Sequence, residues 1–145
     1  MKKLLLLLLT FSMVISLLAM LSSCSSEEGE ISEKDIKLIE KAFADEENIL
    51  PRMGNSSDGD YEGDFARIEY EYPDIKKLLN RDDAVKLLLW KMENDPSDLA
   101  CLLFAYTKIL DKITLAEVRE LGRICNEKGI EFPLGDLNKL LPSAK

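Results

Sequence analysis

Histidine is absent from this 145-residue chain. Without an imidazole there is no Ser-His-Asp or Cys-His relay and no HExxH zinc site, and most transition-metal sites lose their usual ligand. Positive charge is scarce: 19 lysines and arginines face 27 aspartates and glutamates, a formal charge of −8. Nucleic acid and anionic lipid both require positive charge, so the balance argues against nucleic acid as a partner and against a domain lying flat on anionic lipid, and favours a soluble domain held off the membrane. The seven glycines form no GxGxxG, P-loop or GxSxG pattern. Carboxylate pairs are frequent, but an acidic chain supplies them by chance. A small hydrolase using such a pair is therefore a distant reading, and the expectation is a protein that is not an enzyme.

What is present begins at the N-terminus. Lys2 and Lys3 precede 18 uncharged residues, Leu4 to Leu21, which include six consecutive leucines. Leu21-Ser22-Ser23-Cys24 follows. A short basic head, an apolar stretch and small residues before a cut are the organisation of an export signal. An apolar run of this length could also stay in the bilayer as an uncleaved span; both readings attach the chain to a membrane. LSSC resembles the lipobox of type II signal peptides in bacterial lipoproteins. The resemblance implies that residues 1–23 are removed by a peptidase that recognises Leu21, Ser22 and Ser23. Cys24 would carry a diacylglyceryl thioether and often an acylated amine, palmitate being a usual chain. Two or three acyl chains, at ~0.8 kcal/mol per buried CH₂, make such attachment effectively permanent.

Residues 24–31 are small, polar and acidic at first (Ser25, Ser26, Glu27, Glu28, Gly29, Glu30), which is the composition of a disordered tether reaching roughly 15 Å. An acidic cluster just after the lipidated cysteine resembles the surface-export signal of Bacteroides-group lipoproteins; an ordinary spacer reads the same way. Ser25 is not the aspartate of an inner-membrane retention signal. In a cell with two membranes, the outer membrane is the expected location, on its periplasmic face or at the surface. Cleavage takes Lys2 and Lys3 from the 19 basic residues and nothing from the 27 acids, leaving 17 against 27 and a formal charge of −10.

The remainder, residues 32–145, has the length of one domain with one core. Ser32 and Asp35 mark a helix start, and Ile36, Ile39, Ala42 and Phe43 continue it at helical spacing to about residue 49. Residues 51–64 are rich in turn formers and acid, predicting a loop. From 65 to 72 the pattern fits two structures. Ile68, Tyr70 and Tyr72 alternate as in a strand, while Phe65, Ile68 and Tyr72 share a helix face; with no partner strand in sight, a helical turn is the expectation. Further helices are predicted at 74–79, from a cap at Asn80 to Glu93, and over 97–112 after Asp95-Pro96. Another runs from the capping box Thr114/Glu117 to Lys128 with Gly129 as its stop, and a last one covers 136–141. The fold expected is all-α: a small antiparallel bundle of about four to six helices.

Within it, Cys101 and Cys125 lie equally far from the turn near Ile113, so they sit level on antiparallel neighbours. They are either a disulfide, which an oxidising envelope permits, or two buried thiols. Residues 58–69 resemble an EF-hand loop. Asp58, Asp60 and Glu62 stand at positions 1, 3 and 5, Gly63 at the sharp turn, Asp64 at 7, Phe65 at the apolar position 8 and Glu69 at 12. The resemblance implies calcium as a cofactor. Glu62 and Ala66 depart from the usual residues, no helix is predicted to enter the loop, and a solvated acidic loop accounts for the same residues.

Residues 81–128 loosely resemble tetratricopeptide repeats through Ala84, Leu88, Pro96, Leu102 and Ala105, with Pro73, Lys91 and Tyr106 departing; a generic helical hairpin needs no more than this. Trp90, Tyr61, Tyr70, Tyr72 and Tyr106 mark either an interface or the core. The sequence reading is a membrane-anchored envelope lipoprotein that binds a protein or peptide, a basic partner fitting the charge. A calcium-binding module and a periplasmic immunity or inhibitor lipoprotein are the alternatives.

Overall fold

A computed structural model describes residues 30–53 and 61–131. The export signal, Cys24, Asp58, Asp60 and the helix expected at 136–141 lie outside the described residues. From Ile31 onward the described residues fall in one compact unit. Every regular element among the described residues is helical, so the chain is all-α, with more and shorter helices than the periodicity predicts.

Helix α1, Glu33–Phe43, starts where Ser32 Oγ accepts the Asp35 N–H at 3.2 Å and donates to its carboxylate at 2.6 Å. It buries Ile39, Ala42 and Phe43. The helix expected to continue to 49 breaks at Ala44–Asp45. Asp45 leaves helical geometry, and a short α2, Glu46–Ile49, resumes before a 3₁₀ turn at Leu50–Arg52. Ile31, assigned to the tether by composition, packs against the core.

Helix α3, Tyr61–Glu71, overrides the predicted loop at 61–64 and settles the ambiguity that follows. A strand would place Ile68 and Tyr70 on one face. Instead Phe65 and Ile68 are each 1% exposed, and Tyr70 is 87% exposed. Pro73 ends α3 and begins α4, Pro73–Leu79, because the residue before a proline is held extended and proline's missing N–H suits a first turn.

Asn80 caps the C-terminus of α4 rather than the start of the next helix. The turn beyond it is held by Arg81, whose guanidinium donates to both Asp83 oxygens at 2.6 and 2.7 Å. Helix α5, Ala84–Asn94, then buries Leu87, Leu88 and Met92.

Ser97, not Asp95, caps α6, Asp98–Leu103, accepting the Ala100 N–H at 3.0 Å. The single helix expected over 97–112 is two. The chain is extended at Tyr106, and α7 covers Thr107–Leu110. Helix α8, Leu115–Lys128, follows the sequence closely. The Thr114/Glu117 capping box is formed, Gly129 adopts φ 66°, and the Ile130 N–H reaches back to Cys125 O at 2.8 Å. The main helix contacts are α1 with α4, α3 with α4, and α5 with α8. They enclose one core around Phe65, Leu87, Leu99 and Phe104.

Candidate functional site

The EF-hand-like residues that are described lie on a helix and not on a turning loop. Glu62, Gly63, Asp64 and Glu69 lie on the continuous helix α3, whereas a calcium loop must turn sharply at its central glycine. The carboxylates serve the fold. Glu62 accepts the Thr107 N–H at 3.2 Å and its hydroxyl, capping α7. Asp64 is buried and paired with Arg67 at 3.3 Å. Glu69, its side chain 10% exposed, accepts the Tyr106 hydroxyl at 3.0 Å and pairs with Lys108 Nζ at 2.7 Å. Among the described residues no group of three or more Cys, Asp or Glu side chains is placed to share a metal.

The Cys101 and Cys125 side chains are within hydrogen-bonding reach of each other. Both are buried free thiols. Burial pushes the Cys101 thiol up to about 12, helped by its hydrogen bond to Cys125, and burial also raises Cys125.

The aromatics divide. Tyr106 is core: its ring stacks on Phe65 at 4.7 Å. Burial first, then its bond to Glu69, pushes its hydroxyl up to about 12. Tyr72 and Trp90 are half-buried against the core. Tyr70 faces solvent. The side chain of Tyr61 lies outside what is described.

Two surface depressions are built on α1. A cleft of about 260 Å³ against α5 is lined by Ile39, Glu40, Phe43, Trp90, Lys91 and Asp95. Lys91, its side chain 9% exposed, pairs with Asp95 and places Nζ 5.2 Å from the Phe43 ring centre. Glu40 and Asp95 are exposed beside it. The cation held against the aromatic ring is thus Lys91 itself, with Asp95 as its counter-ion. Trp90 stands out in the sequence as an interface candidate, but its grouping with Ile39, Glu40 and Phe43 does not, since the cleft joins residues some fifty positions apart.

The second depression is an open groove of about 710 Å³ between α1 and α4, lined by Lys34, Lys37, Lys41 and Lys77 with Glu33 and Asp74. Glu33 pairs with Lys37 at 2.7 Å and Asp74 with Lys77 at 3.1 Å. No sequence motif marks this groove. The available indication was the spacing of Lys34, Lys37 and Lys41, which places them on one side of a helix.

A third charged group ties elements together. Arg81 pairs with Asp35 on α1 and with Asp83, so it links the first helix to the turn between α4 and α5. The Ser32 hydroxyl and then Arg81 hold Asp35 below the usual carboxylate range, and Arg81 does the same for Asp83. Compared with known proteins, the chain matches no family model, no curated protein and no solved structure.

Proposed function

We propose that this chain is a lipid-anchored bacterial envelope protein that works by binding a protein or peptide partner and not by catalysis. The observation that carries the anchor is the order of parts at the N-terminus: two lysines, 18 uncharged residues, then Leu21-Ser22-Ser23-Cys24. A cysteine ending that series has a chemical purpose as the acylated residue. Binding is supported by the lack of histidine and by the commitment of Glu62, Asp64 and Glu69 to internal partners.

The cleft between α1 and α5 is the surface we assign to the partner. Lys91 holds the Phe43 face and Asp95, so a basic side chain of the partner would meet half-buried Trp90 and exposed Glu40 on the same rim. In a cell with two membranes, Ser25 in place of a retention aspartate supports outer-membrane placement as part of the same proposal.

Two measurements test it. Labelled palmitate should enter the wild-type protein, whereas Cys24→Ser should take up no label and leave the membrane fraction. Unchanged membrane retention of Cys24→Ser would remove the anchor. A pull-down from envelope extract with the lipidated protein should recover a partner that Trp90→Ala recovers poorly. Equal recovery by both would remove the cleft as the binding surface.

A further inference from the structure

We infer that the groove between α1 and α4 seats anionic phospholipid headgroups of the membrane that anchors the chain, an inference that rests on the lipid-anchored reading above. Lys34, Lys37 and Lys41 line one side from α1, and Lys77 faces them from α4. Glu33 and Asp74 each pair with one lysine, which leaves Lys34 and Lys41 exposed and without an ion pair among the described residues. Half-buried Leu38 adds an apolar patch to the lining. An open depression with uncompensated ammonium groups is complementary to a phosphate diester.

The chain's own connectivity selects lipid over other sources of phosphate. Ser32 lies on the rim of the groove and follows Cys24 by eight residues. Eight residues reach at most about 29 Å when extended and roughly 15 Å as a coil. An anchor at Cys24 therefore keeps the groove within reach of the bilayer surface at high effective concentration. Lysines near an anionic leaflet are attracted over about a screening length, ~8 Å at physiological salt.

Overall charge opposes association of the whole molecule, and Glu27, Glu28 and Glu30 in the tether carry the same sign as the lipid. The attraction is thus local to the groove. Its effect is orientation: the basic side of the domain turns toward the headgroups, and the acidic remainder turns away.

The test uses the mature lipidated full chain in two kinds of vesicle, phosphatidylcholine alone and phosphatidylethanolamine with phosphatidylglycerol. Amine-acylating footprinting, read lysine by lysine in a mass spectrometer, reports the contact. Lys34, Lys37, Lys41 and Lys77 should label several-fold more slowly in the anionic vesicles, while exposed Lys86 and Lys128, outside the groove, should not change. The protection should vanish near ~1 M salt, where the screening length falls to about 3 Å. The exposed double substitution Lys34→Gln/Lys41→Gln should release Lys37 and Lys77.

Equal labelling in both vesicles, with the protein partitioned into each, overturns the groove and leaves the anchor standing. Equivalent protection by inorganic phosphate in phosphatidylcholine vesicles also overturns it, by assigning the groove to a free anion. Failure to partition into either vesicle removes the anchor and this inference together.

Discussion

Cys101 and Cys125 carry two consequences at the scale of single residues. Thiol chemistry needs the thiolate, and burial disfavours that form in both side chains. An aromatic disulfide reagent at pH 8 should modify the native thiols far more slowly than those of the urea-unfolded chain. The second consequence is a loss of stability in alkali. The folded pKa of Cys101, about 12, lies above its unfolded value of about 8.5, so the folded state holds its proton longer. This contribution is complete below about pH 8.5 and disappears as pH rises toward 12. Tyr106, also pushed up to about 12, has the same sign over the upper part of that range. The urea midpoint should therefore fall between pH 8.5 and 11, and Cys101→Ala/Cys125→Ala should fall less steeply. A wild-type midpoint independent of pH in that range would contradict the burial of these groups.

At the scale of elements, helix ends divide into those written locally and those imposed by distant contacts. Ser32, the Thr114/Glu117 box and Gly129 act on neighbours within a few residues, so they were legible in the sequence and are formed. The break at 104–106 was not. It accompanies the stacking of Tyr106 on Phe65 and its bond to Glu69, 37 residues away. The Arg81–Asp83 turn is local, but Asn80 can cap either end of a helix, and spacing alone does not decide which.

The candidate surfaces follow the same division. The lysine row on α1 can be read from its spacing, but Lys77 joins it only through packing. The EF-hand-like stretch shows the converse: residue order does not encode whether Gly63 turns or continues a helix, and here it continues one. Gly129 offers a clean test of a local end. A methyl group there would meet nothing within 4 Å, so Gly129→Ala should act through the left-handed backbone alone. It should destabilise by about 1–2 kcal/mol, with Gly129→Asn costing less. Equal urea midpoints for wild type and Gly129→Ala would show that α8 does not depend on this terminus.

For the whole molecule, charge acts in two directions. The acid excess repels itself and opposes compactness, so protonating carboxylates at first relieves strain on the fold. Asp35, Asp83 and Glu120 work against this. Each has a folded pKa below the usual range because a hydrogen bond favours its charged form: Ser32 and then Arg81 for Asp35, Arg81 for Asp83, Arg123 for Glu120. Their contribution is full above the unfolded value of about 4 and is lost as pH falls through the folded values. Stability at low salt should thus change little from pH 7 to 5 and drop below about pH 4. Arg81 separates the two effects, because it pairs with both Asp35 and Asp83 and connects α1 to the α4–α5 turn. Arg81→Gln should be less stable at pH 7, yet lose less between pH 5 and 3, since fewer charged-form hydrogen bonds remain to be broken. Parallel acid limbs for the two proteins would show that general repulsion, and not this guanidinium, governs how the acidic domain yields to protons.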